Sequence, residues 1–110
     1  MATDFFSQPD LMDKFKSVDA TAFKKLINEH KLHLLDVRTY LEYQLRNIEG
    51  AMLIDFYASD FEEQIEAHLD VSIPVAIYCR SGVRSVDAGI LLVEKGFTVY
   101  NLRDGIISWK

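Results

Sequence analysis

The sequence predicts one α/β domain: a central parallel β-sheet of about five strands with helices on both faces. Short apolar segments, typical of buried strands, alternate along the chain with segments whose apolar residues recur at helical spacing. The strand segments are residues 34–35, 52–54, 75–78 and 98–102, and a weaker edge strand is predicted near residues 16–18. Strands that alternate with helices of this length form parallel sheets, because each helix carries the chain back across a face of the sheet.

Capping residues support the start of three predicted helices. Asp19 precedes an amphipathic apolar stripe and is a predicted N-cap. Thr39 and Glu42 have the spacing of a capping box, in which each side chain bonds to the other's backbone N–H, and Ser59 with Glu62 repeats that spacing. Both pairs precede apolar residues at helical spacing, so we expect a helix after each.

Length and charge limit the classes of function. The 110 residues fit one domain, assigned to residues 16–110 after an N-terminal extension of residues 1–15. A net charge of −5 and the absence of a basic stripe disfavour nucleic acid as a partner. No apolar run approaches the roughly 20 residues of a membrane span, and the N-terminus lacks a signal-peptide pattern. We therefore expect a cytoplasmic protein without a membrane partner.

The cysteine and histidine content bears on cofactors. One cysteine cannot form an internal disulfide, and His30, His33 and His68 lack metal-ligand spacing with it or with each other. We expect neither a metal nor another cofactor. A thioredoxin-like or arsenate-reductase mechanism is disfavoured as well, because no second cysteine is present to resolve a disulfide.

That single cysteine, Cys79, lies between a predicted strand and an apolar helix. A thiolate there would be stabilised by converging backbone N–H groups, by the positive end of the helix, and by Arg80 and Arg84. An inert structural cysteine would not need two arginines beside it. The pattern therefore predicts a nucleophile in electropositive, partly exposed surroundings.

Polar residues follow the predicted strands where these end. Asp36 and Arg38 follow the first of the four strand segments, and Cys79 follows the third. Open parallel sheets bind ligands beyond the carboxyl ends of their strands, so the site is predicted at that edge. Asp36, Arg38 and Glu42 are interpreted as a structural network of ion pairs and hydrogen bonds, because half-buried charges are normally paired.

Several motifs, taken in order, resemble the pattern of single-domain rhodaneses. They are Asp36-Val37-Arg38, Glu42-Tyr43, Ile48-Glu49-Gly50-Ala51, Tyr78-Cys79-Arg80-Ser81-Gly82-Val83-Arg84-Ser85, Gly105 and Trp109. The resemblance covers residues 16–110 and implies the rhodanese-like fold. It also implies transfer of a sulfane sulfur from thiosulfate, through a Cys79 persulfide, to a thiophilic acceptor such as cyanide or a thiol. The chain departs from the pattern at Arg46-Asn47, where the family usually has Gly-His, and at Asp104, where it usually has Gly.

Within the loop, the resemblance makes Cys79 the persulfide-forming residue. The residues that would bind the substrate are Arg80, Ser81, Gly82, Val83, Arg84 and Ser85. For Arg84 the sequence leaves two roles open, binding the donor or bracing the loop through its carbonyls. Ser85 is expected at the start of the helix, with a hydrogen bond to sulfur as a further role. Trp109 is interpreted as a packing residue of a terminal helix.

Alternatives to thiosulfate chemistry remain. Four residues separate Cys79 from Arg84, whereas cysteine phosphatases have one more to enclose a tetrahedral phosphate, which disfavours that activity. A non-enzymatic binding module is disfavoured because inactive rhodanese-like domains usually lack the cysteine. A relay fed by a protein persulfide needs the same loop, so the sequence does not separate it from a small-molecule sulfurtransferase.

Overall fold

The computed structural model describes residues 9–110, and within them the predicted parallel sheet of five strands is confirmed. The strands are β1 (Phe15–Val18), β2 (His33–Asp36), β3 (Met52–Leu53), β4 (Val75–Tyr78) and β5 (Val99–Leu102). Their spatial order is β1-β5-β4-β2-β3, and every neighbouring pair is parallel. The strand predicted near residues 16–18 lies at the edge, as expected. All residues of the central strand β4 are buried, which agrees with its uninterrupted apolar sequence.

Helices cover both faces of this sheet, as predicted. They are α1 (Pro9–Met12), α2 (Ala20–Glu29), α3 (Tyr40–Leu45), α4 (Phe61–His68) and α5 (Val83–Glu94), followed by a 3₁₀ turn at Ile106–Ser108. One core layer is built from α1, α4 and α5, and the other from α2 and α3. No helix in residues 9–110 is both long enough and apolar enough to cross a membrane.

Two of the predicted helix caps are confirmed. The carboxylate of Asp19 accepts a hydrogen bond of 2.8 Å from the N–H of Ala22 at the start of α2. At α3 the full capping box is present: the N–H of Glu42 donates to Oγ1 of Thr39 at 3.3 Å, and the N–H of Thr39 donates to Oε1 of Glu42 at 3.1 Å. The first turn of α3 is thereby fixed, which places Glu42 beside the cysteine loop.

The capping box predicted from Ser59 and Glu62 is wrong. Helix α4 begins at Phe61, and its N-cap is Asp60, which makes no capping hydrogen bond through its side chain. The N–H of Phe61 instead donates to the carbonyl of Ala58 at 3.1 Å, so a backbone turn delays the start of the helix. The ring of Phe61 packs edge to face against Phe56 with centroids 5.3 Å apart. The helix therefore begins at a buried aromatic residue, one position after the Asp60 N-cap.

The terminal segment is shorter than predicted. A 3₁₀ turn replaces the expected helix, and Trp109 follows the turn instead of lying within it. The indole still packs, as predicted, with its ring centroid 5.9 Å from that of Phe23 in α2. Of the predicted N-terminal extension, residues 1–8 lie outside the described part of the chain, while Leu11 and Phe15 pack against the core.

Candidate active site

Cys79 lies directly after β4, at the carboxyl edge of the sheet, with two hydrogen-bonding groups against its sulfur. The N–H of Gly82 donates to Sγ at 3.1 Å, and Oγ of Ser85 lies 3.3 Å from Sγ. Ser85 is fully buried in the first turn of α5, so its hydroxyl is held in place. A thiolate at this point would accept a hydrogen bond from each group and face the positive end of α5.

The sulfur is more deeply placed than the sequence predicted. Cys79 is only 1% exposed and packs within one of the two apolar cores. The expectation of a partly exposed cysteine is therefore wrong, because the following loop and the first turn of α5 close over the side chain. Arg80 and Ser81, at the crest of the loop, are exposed.

The terminal 3₁₀ turn braces the cysteine loop through the backbone. The N–H of Ile106 donates to the carbonyl of Cys79 at 2.9 Å, and the N–H of Ile107 donates to the carbonyl of Arg80 at 3.2 Å. In a planar trans peptide the carbonyl and the next N–H point in opposite directions. The N–H groups of Arg80 and Ser81 therefore point away from the turn, and neither has a hydrogen-bond partner within residues 9–110.

In the described part of the chain Arg84 does not brace the loop through its carbonyls, and its role in binding a donor stays a prediction. Its guanidinium forms two hydrogen bonds with the carboxylate of Glu42, at 2.8 and 2.9 Å, and so joins α5 to α3. These bonds raise the pKa of Arg84 and lower that of Glu42 to about 2. Its charge is balanced locally, whereas the exposed Arg80 has no ion-pair partner in the described part of the chain. Among residues 9–110, Arg80 is thus the cation of the loop that has no ion-pair partner.

Asp36 and Arg38 form the buried ion pair of the predicted network. The guanidinium lies 2.6 Å from Oδ2 of Asp36, and the backbone N–H of Arg38 donates to Oδ1 at 2.9 Å. Burial works against the charge of Arg38, but the hydrogen bond and charge of Asp36 outweigh it and raise the pKa of Arg38. The guanidinium also lies 5.5 Å from the ring centroid of Tyr78, at the end of β4. Glu42, the third predicted member, pairs with Arg84 instead.

Arg46 has a role that the sequence analysis missed. Its Nη1 donates to the carbonyl of Ile106 at 3.1 Å, and its Nη2 donates to the carbonyl of Trp109. Its own carbonyl accepts a hydrogen bond of 2.6 Å from Nη2 of Arg38. The only signal in the sequence was the departure from the family pattern at Arg46-Asn47, because contacts between residues 60 positions apart have no local spacing.

At this edge the sulfur of Cys79 would act as a nucleophile, surrounded by backbone dipoles and arginine side chains. No histidine or carboxylate of residues 9–110 makes a hydrogen bond to Sγ. Residues 9–110 also hold no group of three or more His, Cys, Asp or Glu side chains arranged to bind a metal ion. The arrangement is suited to stabilising a sulfur anion with fixed N–H and O–H donors.

Comparison with known proteins agrees with this geometry. A model of the rhodanese-like domain family matches residues 19–110. A tRNA uridine(34) hydroxylase of Chlamydia abortus is 32% identical over 106 residues, which cover 91% of this chain and 32% of that protein. A rhodanese-like domain protein from Staphylococcus aureus has a TM-score of 0.76 at 26% identity, covering 86% of this chain and 91% of the other. A rhodanese-related protein from Thermoplasma volcanium has a TM-score of 0.75, also at 26% identity, covering 86% and 89%.

The chain therefore belongs to the rhodanese-like domain family, a family of sulfurtransfer and persulfide-relay domains. It spans about a third of the length of the curated relatives that it matches.

Proposed function

We propose that this domain is a sulfurtransferase that carries a sulfane sulfur on Cys79, with thiosulfate as donor and a thiol or cyanide as acceptor. The observation that carries the proposal is the pair of groups against Sγ at the N-terminus of a 12-residue helix: the N–H of Gly82, which donates to Sγ at 3.1 Å, and Oγ of Ser85 at 3.3 Å, which would donate to a thiolate. Fixed donors of this kind stabilise an anionic sulfur without a proton-transfer group.

The reaction balances in two displacement steps. The Cys79 thiolate attacks the outer sulfur of thiosulfate, the S–S bond of the donor breaks, and sulfite leaves with the bonding electron pair. The enzyme then holds a persulfide anion. A thiolate or cyanide attacks the terminal sulfur of that persulfide, and Cys79 leaves as a thiolate, ready for the next donor. This is covalent catalysis with a substituted-enzyme intermediate.

Electrostatics at the loop supports a small dianionic donor. The chain carries a net charge of −5, so it repels thiosulfate at long range. Arg80 is exposed on the loop and is not engaged by another described side chain, whereas Arg84 is neutralised by Glu42. We propose that this guanidinium and the N–H groups of Arg80 and Ser81 attract and bind the anionic donor at the loop.

The experiment is intact-mass measurement of the reduced protein after incubation with thiosulfate and desalting, with Cys79→Ser as the control. We expect the wild type to gain one sulfur atom, cyanide to remove it, and the control to gain nothing. A free and reactive thiol that gains no sulfur would refute thiosulfate as the donor.

A protein-fed relay is the second candidate, and the apolar surface beside the loop favours it. Val83 is 70% exposed next to Gly82, and Ile107 is 58% exposed next to Arg80. Tyr57, near enough to Arg84 to affect its pKa, is 71% exposed. Exposed apolar groups around a site suit contact with another protein. Loading by a persulfidated protein but not by thiosulfate or glutathione persulfide would favour this candidate.

The hydroxylase name belongs to the longer relatives. Only a third of their length is represented in this chain. With a net charge of −5, the domain by itself is better suited to a small donor than to a tRNA. We therefore propose small-molecule sulfur transfer for this segment.

A further inference from the structure

We infer that Arg46 is a positioning residue for the sulfur site, acting through the terminal 3₁₀ turn on the N–H groups of the cysteine loop. The inference rests on the proposed function and names a residue that lies outside the loop itself. The contacts that carry it join α3, the turn and the loop in one chain of hydrogen bonds.

The first link is between the turn and the loop. The N–H groups of Ile106 and Ile107 hold the carbonyls of Cys79 and Arg80, at 2.9 and 3.2 Å. Fixing a carbonyl fixes the plane of its peptide, and hence the direction of the N–H on the following residue. The turn therefore sets the direction of two N–H groups, those of Arg80 and Ser81, which have no hydrogen-bond partner among residues 9–110.

The second link is between Arg46 and the turn. Its guanidinium donates to the carbonyl of Ile106, at one end of the turn, and to that of Trp109, just past the other end. A planar guanidinium holds two acceptors in a fixed relative geometry, which a lysine ammonium does not. A short 3₁₀ turn has poor hydrogen-bond geometry of its own, so such an external clamp matters to its shape.

The third link anchors Arg46 itself. Its carbonyl accepts a 2.6 Å hydrogen bond from Arg38, and Arg38 is locked by Asp36 in a buried pair. The pair of Asp36 and Arg38 thus fixes the backbone of Arg46 relative to the carboxyl end of β2. The path runs from the buried pair through Arg46 and the turn to the loop, and it touches Sγ at no point.

The test measures the alkylation rate of Cys79 by iodoacetate and by iodoacetamide. Because the chain has one cysteine, labelling reports on this site alone. Both probes need the thiolate, but only iodoacetate carries an anion to be held by the loop N–H groups. In Arg46→Ala we expect the ratio of the iodoacetate rate to the iodoacetamide rate to fall about five-fold, the effect of weakening one hydrogen bond.

Two variants separate positioning from loss of charge. Arg46→Lys keeps the charge but cannot hold both carbonyls, so its ratio should also fall. Lys25→Ala removes one positive charge from an exposed position on α2 and should leave the ratio at the wild-type value. A drop in Lys25→Ala as large as that in Arg46→Ala would overturn the inference.

Melting temperatures complete the design. A lower melting temperature for Arg46→Ala with a wild-type rate ratio would also overturn the inference, because it would show a structural role only. If Arg46→Ala does not fold, Arg46→Lys is tested in its place. A wild-type ratio of the iodoacetate rate to the iodoacetamide rate in that variant overturns the inference. Failure of the wild type to load sulfur from thiosulfate would defeat the proposed function alone, since alkylation does not depend on sulfur transfer.

Discussion

At the scale of single residues, Ser85 is the group whose contribution to the sulfur site is simplest to isolate. Its hydroxyl is fully buried and its Oγ lies 3.3 Å from Sγ of Cys79, while the N–H of Gly82 donates to the same sulfur. Replacing the hydroxyl therefore removes one of the two groups that would donate to a thiolate and leaves the loop backbone intact. A hydrogen bond to a charged sulfur contributes roughly 1.5–3 kcal/mol.

Ser85→Ala should accordingly lower the rate of sulfur loading from thiosulfate by about ten-fold or more, because part of the anion stabilisation is lost. The measurement is the time course of the mass gain at fixed thiosulfate concentration. Ser59→Ala, an exposed serine without a capping bond, is the matched control and should load at the wild-type rate. Equal rates for the two variants would contradict a role for the hydroxyl.

The pair of Glu42 and Arg84 makes a prediction about pH. Hydrogen bonds from Arg84 lower the pKa of Glu42 from 4.5 to about 2, so the folded state holds its proton less tightly than the unfolded state does. The stabilisation is complete above about pH 4.5 and is lost as the pH falls towards 2. Its size should be about 1 kcal/mol, since both side chains are partly exposed.

Glu42→Gln isolates this effect, because glutamine also serves in a capping box. In urea denaturation, the difference in unfolding free energy between wild type and variant should be constant from pH 7 to about pH 5. It should then shrink as the pH approaches 2. Other carboxylates titrate in both proteins and cancel in the difference, so a difference that does not change with pH would refute the assignment.

Prediction from sequence at this scale depended on the distance between partners along the chain. Cys79 and Ser85 belong to one motif, and their proximity followed from a strand, a loop and a helix start in succession. The partner of Arg84 is 42 residues away, and no local pattern pairs it with Glu42 rather than with the loop carbonyls. The burial of Cys79 was missed for a related reason, since it depends on how closely α5 packs over the loop.

At the scale of elements, the terminal 3₁₀ turn and the cysteine loop are joined by backbone hydrogen bonds, and Gly105 packs closely against the loop. A Cβ at Gly105 would lie 2.1 Å from the carbonyl oxygen of Arg80 and 2.5 Å from the N of Ser81. Its φ of +70° is also costly for any residue with a side chain. Only glycine lets the turn approach closely enough to hold the loop carbonyls.

Gly105→Ala should therefore destabilise the protein by more than about 3 kcal/mol, from backbone strain plus the clash, and the molecules that fold should load sulfur more slowly. Gly50→Ala is the control: its φ is +87°, but nothing lies within 4 Å of the added Cβ. That variant should lose only about 1–2 kcal/mol from the backbone conformation. Equal losses in urea denaturation would show that the close approach does not matter.

The start of a helix was predictable where capping residues close to it in sequence determine it. Asp19 and the box of Thr39 and Glu42 bond within one helical turn, and both caps were found from spacing alone. The start of α4 was not, because burial of Phe61 against Phe56 overrides the spacing of Ser59 and Glu62. The final turn was expected to be a helix, yet its backbone groups bond to the cysteine loop instead of continuing a helical ladder.

At the scale of the whole molecule, the buried pair of Asp36 and Arg38 joins the sheet to the site edge. Arg38 is 3% exposed and Asp36 is fully buried, and Arg38 also bonds to the carbonyl of Arg46 at the end of α3. Removing one partner of a buried pair leaves an uncompensated charge in the interior. The pair therefore affects the entire fold as well as the loop.

Asp36→Asn should lower the free energy of unfolding by about 3–5 kcal/mol, because Arg38 remains charged without its partner. Asp104→Asn, which breaks the exposed pair with Arg103, is the control and should change stability by less than about 0.5 kcal/mol. Urea denaturation of both variants gives the comparison. A loss below 1 kcal/mol for Asp36→Asn would mean that the interior tolerates the unpaired guanidinium.

The parallel sheet and its two covered faces followed from the alternation of short apolar strands with amphipathic helices. The spatial order of the strands did not follow, since β1 joins the sheet beside β5 through pairing across most of the chain. The position of Cys79 between a strand and a helix was predictable, and its role as a nucleophile stays a prediction. The bracing of that loop by Arg46 and the final turn depends on the assembled tertiary structure.

The depth of Cys79 also affects how this domain would withstand oxidising conditions. Peroxide attacks exposed thiolates most readily, and a sulfur that is 1% exposed is shielded from such attack. In the proposed intermediate the transferred atom lies about 2 Å beyond Sγ, the length of one S–S bond. We expect the burial of the thiol to slow its oxidation while the domain is unloaded, and we expect the transferred atom of the proposed persulfide to lie nearer than Sγ to an incoming acceptor.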